Sequence, residues 1–260
     1  MAVDMGRMKT KRDESQRNAD FLTFDEGETK CYIHPCCREE DEHPLTKGTN
    51  FVPVGVHYRV GKDGKMVVSL NADKNPALKH PFVAQVLKER KVVVDFDEPC
   101  PVQEELPNLS DDDQREQRYQ VRYMWGITPI EHKRLGSDEW KEMTFKPQVW
   151  FGGKTIHDGI MDVFVEEGDI SNPDQAILVI IKRKGTKQFD TKYTVAVDTK
   201  TVRKALQLDK GQKRLLREAM ADQCDLFKIV GNMVKGTKEV HALVSGVSLD
   251  ESSDDDSEDD

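Results

Sequence analysis

The acids of this chain are gathered rather than spread, and that asymmetry constrains what its folded part must be. Residues 250–260 hold eight acids (Asp250, Glu251, Asp254, Asp255, Asp256, Glu258, Asp259, Asp260) and no base. Residues 95–116 hold nine (Asp95, Asp97, Glu98, Glu104, Glu105, Asp111, Asp112, Asp113, Glu116) against Arg115 alone. Setting aside eight net negative charges for each segment turns the formal net charge of −9 into +7 on the rest. A basic body with separable acidic segments is suited to a polyanionic partner in a way that a uniformly acidic protein is not. Residues 247–260, almost entirely Ser, Asp and Glu, have no means of forming a core, and a disordered acidic tail is expected there. Residues 1–20 are polar, carry Arg7, Lys9, Lys11, Arg12 and Arg17, and read as a flexible basic arm.

The body between, 21–246, mixes two periodicities. In Phe51–Val60, Val52, Val54, Val56, Tyr58 and Val60 alternate, which predicts a strand. Lys62-Asp63-Gly64-Lys65 is then a hairpin turn, its Asp-Gly step supplying the tight reversal, with Met66–Leu70 returning. Pro81 opens a short helix to about Arg90, with Phe82, Val83, Val86 and Leu87 on one stripe. The acidic, proline-containing stretch 95–116 reads as a solvated insertion. Further strands are expected at Thr29–His34, Arg118–Ile127, Phe145–Phe151, Ala176–Ile181 and Thr191–Val197. Thr155 is expected to cap a helix in which Ile156, Ile160, Val163 and Phe164 recur at helical spacing. Two last helices are expected near Thr201–Leu208 and Gln212–Val230. Short strands interrupted by helices predict a mainly β protein, a closed or nearly closed barrel with inserted and C-terminal helices and disordered termini.

Charged residues make up 33% of the 260 and the hydrophobic set 37%. No run approaches the roughly 18 apolar residues that a membrane span requires. Met1–Arg17 lacks the apolar stretch of a secretory signal, so a cytoplasmic protein is expected. Five cysteines, an odd number with Cys36 and Cys37 adjacent, are expected to be reduced thiols.

Motifs for catalysis are absent from the sequence. There is no Gly-rich phosphate loop and no G-x-S-x-G elbow, and Asp158 with Asp162 has the spacing of any solvated helix face. Cys31, His34, Cys36, Cys37 and His43 crowd together, but not in the knuckle spacing of zinc ligands, and Cys31 falls inside a strand. A non-enzymatic binding protein without cofactor is expected. Lys182-Arg183-Lys184-Gly185-Thr186-Lys187 reads as a basic turn between strands, with Lys192 beyond it, and fixed cations of this kind neutralise phosphates. Arg118 and Arg122 alternate with Tyr119, Val121, Tyr123 and Trp125, and exposed rings of such a strand stack on unpaired bases.

The order of motifs resembles the single-stranded DNA-binding proteins of tailed phages, the family typified by the helix-destabilising protein of the T-even phages. Gly153-Lys154-Thr155-Ile156-His157-Asp158-Gly159-Ile160 is similar to that family's "GKTVFDGI". Gly168-Asp169-Ile170-Ser171-Asn172-Pro173 is similar to its "GDITDP" turn. Lys182–Thr186 with Thr191–Val195 is similar to its "TRKGTG…TKYTV" hairpin. Asp25–Lys30 resembles the "DGETKVRILP" opening, Val54–Tyr58 its "VGVHY", and Asp225–Ile229 the helix end "DLDELFKV".

The resemblance implies an OB-fold with a cleft that tracks a DNA backbone. It also implies coating and protection of unpaired DNA during phage replication, recombination and repair, in the cytoplasm of a host cell. DNA contacts are expected from Lys182, Arg183, Lys184, Lys187 and Lys192, assisted by Arg118, Arg122 and Lys154. Stacking is expected from among Tyr58, Tyr119, Trp125, Trp150 and Tyr193. The tail residues Asp254, Asp255, Asp256, Glu258, Asp259 and Asp260 would compete with DNA for the same cleft and recruit replication or recombination proteins. Lys9-Thr10-Lys11-Arg12 resembles the basic motif by which such proteins associate cooperatively on DNA. The family's zinc ligands are a His and three Cys. His57 matches the His, but Ser69, His80 and Val83 stand at the other positions, so no zinc is expected. The competing reading is an acidic adaptor of the replication machinery with no DNA binding of its own.

Overall fold

The structure is a computed structural model that describes residues 21–35, 50–172, 177–185, 190–199, 211, 214–215, 218 and 225–247. The basic arm, Cys36, Cys37, His43, Lys187, the expected helix at 201–208 and the tail acids lie outside the described residues. The chain divides into two compact units. The first comprises the described residues up to Val52 and from Tyr123 to Leu226, and the second Pro53–Arg122 and those from Phe227 on.

In the first unit, β1 (Gly27–Ile33) pairs antiparallel with β4 (Gln120–Arg134, within this unit from Tyr123) on one side and β7 (Val179–Lys184) on the other. β7 pairs antiparallel with β8 (Lys192–Val197), while β5 (Lys141–Glu142) and β6 (Gln148–Gly152) pair with β4. Alternation sorts β1: Cys31 and Ile33 enter the main core and Thr29 is buried on the same side, whereas Glu28, Lys30 and Tyr32 face the other side. The main core is built on Trp125, Ile127, Cys31, Ile33, Val179 and Ile181. A helix of fourteen residues, α4 (Lys154–Glu167), covers it with Ile156, Ile160 and Val163. Each such fully buried aliphatic side chain contributes roughly 1.5–3 kcal/mol relative to exposure. α4 can lie close to β8 because residue 159 is glycine: a Cβ there would stand 2.7 Å from the Val195 side chain.

The second unit holds most of β2 (Phe51–Val60) and β3 (Lys65–Val68), an antiparallel pair in which Val56 faces Val68 and His57 faces Val67. Gly61 and Gly64, with φ of +70° and +61°, make the turn between them. Helix α1 (Pro81–Glu89) starts where expected, with Pro81 at its first position.

Residues 95–116 are mostly exposed, but they carry structure of their own: they form α2 (Pro101–Glu105), a 3-10 turn (Leu106–Asn108) and α3 (Asp111–Gln117), and Cys100, Pro101 and Val102 are buried. The acids suit this structure because Asp111, Asp112 and Asp113 occupy the first turn of α3, where negative charge complements the helix dipole. The Ser110 hydroxyl accepts from the Asp113 amide at 3.3 Å. Two helices follow, α5 (Leu226–Met233) and α6 (Thr237–Ser245), and α6 packs against α2.

The protein is thus a mainly antiparallel β-sheet with several helices, and the expected closure into a barrel is not found. β8 pairs only with β7 among the described residues, so the strand path ends there. Three local expectations also change. Arg118 and Tyr119 precede β4 rather than opening it, since α3 runs to Gln117. Thr155 lies inside α4, whose N-cap is Gly153 with no side-chain cap. Lys182, Arg183 and Lys184 belong to β7 itself, not to the turn after it.

Candidate nucleic-acid interface

Directly opposed residues in antiparallel strands share a face, so the register of β8, β7, β1 and β4 specifies which side chains stand together. One row reads Lys192–Lys184 across β8 and β7. The next reads Thr194–Lys182–Glu28–Lys133 across all four strands. A third reads Ala196–Ile180–Lys30–Glu131, with Glu142 beyond on β5. Five lysines (30, 133, 182, 184 and 192) therefore share the side of the sheet opposite α4.

Their charges are not equally available. Glu28 lies between Lys182, at 2.5 Å, and Lys133, at 3.0 Å. Hydrogen bonds from those two lysines hold the Glu28 carboxyl below the ordinary carboxylate range. Lys30 contacts Glu131 at 2.8 Å and Asp198 at 3.4 Å. Burial works to lower the pKa of Lys30, but the hydrogen bond and charge of Glu131, with Asp198, outweigh it and raise the value. The ring of Trp140 lies beneath two of these cations, 4.3 Å from Lys30 Nζ and 5.0 Å from Lys133 Nζ. Lys184 and Lys192 are exposed and form no ion pair among the described residues.

Several predicted residues are placed elsewhere. Arg183 is on the α4 side with Tyr193, its partner in register, and its guanidinium donates to Phe24 O at 2.5 Å. Tyr193 packs against the main core. Trp125 is 0% and Trp150 6% exposed, so both rings are core and offer no face to a base. Lys154 is exposed at the start of α4 and pairs with Asp158 at 2.6 Å, which raises its pKa. In the second unit, the Arg122 guanidinium lies over the Tyr58 ring at 5.0 Å and donates to Gln120 Oε1 at 3.1 Å. Tyr119 packs over Gly55, where a Cβ would meet its ring at 2.4 Å, and its hydroxyl donates to Lys74 O at 2.5 Å. Arg118 is exposed.

Sequence reasoning missed Lys30, Lys133 and Trp140. Lys30 and Lys133 are legible as outward positions of alternating strands, but only the β1–β4 register brings them together. It also missed a cluster beside α4. His157, 8% exposed, stacks on Tyr123 at 3.6 Å with planes 3° apart, and Phe51 meets it edge-on at 4.6 Å. Burial there lowers the pKa of His157.

At the position that resembles the family's zinc histidine, His57 Nδ1 lies 2.7 Å from Gln117 O and Nε2 lies 3.9 Å from Cys100 Sγ. His80 Nδ1 accepts from the Phe82 amide, and Val83 is buried in apolar contact. Cys31 is buried, which pushes its thiol pKa far up. Among the described residues no group of three or more His, Cys, Asp or Glu is arranged to hold a metal ion. Nor, among them, is any helix long and apolar enough to cross a membrane.

Compared with models of known protein families and with curated proteins, the sequence matches none.

Proposed function

We propose that the protein binds single-stranded DNA without sequence preference and coats it during replication, recombination and repair. The observation that carries this reading is the lysine face of the first unit, ending in Lys184 and Lys192 without carboxylate partners among the described residues. Two like charges directly across a strand pair cost stability unless an anion lies against them. A polyphosphate chain supplies that anion, and a half-exposed indole flanked by two lysines gives an unpaired base a surface to stack on. Lys182 and Lys133, which share Glu28, and Lys30, paired with Glu131 and Asp198, follow from the unpartnered lysines in successive register rows and could exchange these carboxylates for phosphates along a strand crossing the sheet. In the second unit, the Tyr58–Arg122 pair offers a further ring and cation. An OB-type architecture, the absence of catalytic activity and a requirement for no cofactor belong to the same proposal. So does recruitment of replication or recombination proteins through Asp254–Asp256 and Glu258–Asp260. The chain acts in the cytoplasm of the host, and Lys9–Arg12 supports association between copies on DNA.

The test is the affinity for labelled oligo-thymidine of increasing length, measured by anisotropy against salt concentration. Log affinity should fall linearly with log salt, by roughly 0.7 per phosphate contacted. A chain truncated after Gly246 should bind more tightly than the full chain at low salt and converge with it at high salt. No binding of oligo-thymidine at low ionic strength, with retention of replication proteins instead, would establish the adaptor reading.

A further inference from the structure

On the α4 side of the sheet, beside β5, lies a cavity of about 430 Å³ within the first unit. Phe24 and Met143 give it an apolar wall. Thr29, 3% exposed, lines it together with His132, and the Thr29 hydroxyl lies 3.0 Å from His132 Nδ1. That contact fixes the imidazole and leaves Nε2 as its remaining hydrogen-bonding atom. Two cations, Arg134 and Lys141, and two carboxylates, Asp25 and Glu139, complete the lining on this side. Among the described residues none of these four forms an ion pair, with one another or with any other side chain. Arg134 also lines the adjoining cleft of about 220 Å³, which contains Lys133, Lys182 and Glu28.

We infer that this cavity is a nucleotide pocket that prefers guanine. Charges of both signs without partners around one concavity suit a ligand that is itself an anion at one end and a hydrogen-bond donor at the other. A nucleotide meets both needs, its phosphate taken by Arg134 and Lys141 and its base by the carboxylates. A carboxylate presents two acceptors side by side. Only guanine offers two adjacent N–H donors, N1–H and the 2-amino group, on one edge. Adenine and cytosine set an acceptor nitrogen beside their amino group, and thymine sets its N–H between two carbonyls. The flat base would lie on the partly exposed Met143, with His132 at the pocket wall for the base's acceptor edge. This goes beyond the DNA-coating reading, to which oligo-thymidine binding is indifferent here, because thymine has no such donor pair.

The experiment is calorimetric titration of the full-length protein with dGMP and with TMP, alongside oligo-thymidine binding. dGMP should bind about tenfold or more tightly than TMP. Asp25→Asn and Glu139→Gln combined should abolish the preference while leaving oligo-thymidine affinity in place. Arg134→Ala should weaken both mononucleotides alike, and circular dichroism checks that each variant is folded. Equal affinities for dGMP and TMP, or a preference that survives the carboxamide substitutions, overturn the guanine assignment. Oligo-thymidine binding with no dGMP binding removes the pocket alone. dGMP binding with no oligo-thymidine binding upholds the pocket and removes the coating function.

Discussion

Lys184 and Lys192 stand directly opposite each other across β7 and β8, both exposed and both positive. This arrangement is unfavourable for the free protein and favourable for a polyanion complex, so stability and binding should move in opposite directions. Lys192→Gln should stabilise the fold by about 0.2–1 kcal/mol, read from urea denaturation. The same substitution should weaken oligo-thymidine binding and reduce the salt slope by roughly 0.7. A variant that loses stability and keeps its salt slope would separate Lys192 from the phosphates.

Glu28 serves two lysines, Lys133 and Lys182, and its carboxyl is held below its ordinary value mainly by the hydrogen bond from Lys182. A depressed carboxyl stabilises the fold fully above its unfolded pKa. The contribution is lost as pH falls from there through the lower folded value. Glu28→Gln should flatten that part of the acid limb and cost about 1 kcal/mol at neutral pH. The check is urea denaturation across the acid range.

His157 is a base whose pKa is lowered, by burial first. Between its folded value and the ordinary one near 6.5, the unfolded chain binds the proton that the native ring refuses. Stability should therefore be complete above about 6.5 and fall as pH drops below it. His157→Phe, which keeps a ring against Tyr123 and Phe51, should remove this step. Chemical denaturation at a series of pH values from neutral downward measures it.

Gly159 is set by contact, not by helix preference. Alanine would favour the helix by about 1 kcal/mol, but its Cβ would stand 2.7 Å from the Val195 side chain. Gly159→Ala should be destabilising by about 1 kcal/mol or more. Val195→Ala in the same chain should recover part of the loss, and the coupling energy from the double-mutant cycle is the measurement.

Elements with strong local signals were legible in the sequence. The alternation of Phe51–Val60, the Gly64 turn, Pro81 and the apolar spacing of Ile156, Ile160 and Val163 each encode their structure within a few residues. The helices within residues 95–116 escape a sequence reading because their acid content resembles that of a loop; Ser110, three residues before Asp113, is a local cap signal, while the burial of Cys100 and Val102 depends on partners. α6 is short and buries only Thr237 and Val240, so its place in the fold follows from its packing against α2. The lysines of β7 were visible as a basic cluster. Which of them Glu28 neutralises, and the company of Lys30, Lys133 and Trp140, follow only from a register spanning more than 150 positions, as between Glu28 and Lys182. Whether a tryptophan is core or surface is equally non-local, as Trp125 and Trp150 show.

The placement of the three tryptophans makes the protein its own two-channel probe. Trp125 and Trp150, sealed in the interior, emit in the blue and respond to melting of the core. Trp140, leaning on two ammonium groups, emits further to the red and is the indole within reach of a collisional quencher or a visiting base. Light emitted at the two edges of the spectrum therefore separates events at the lysine face from unfolding, in a single cuvette and without any added dye.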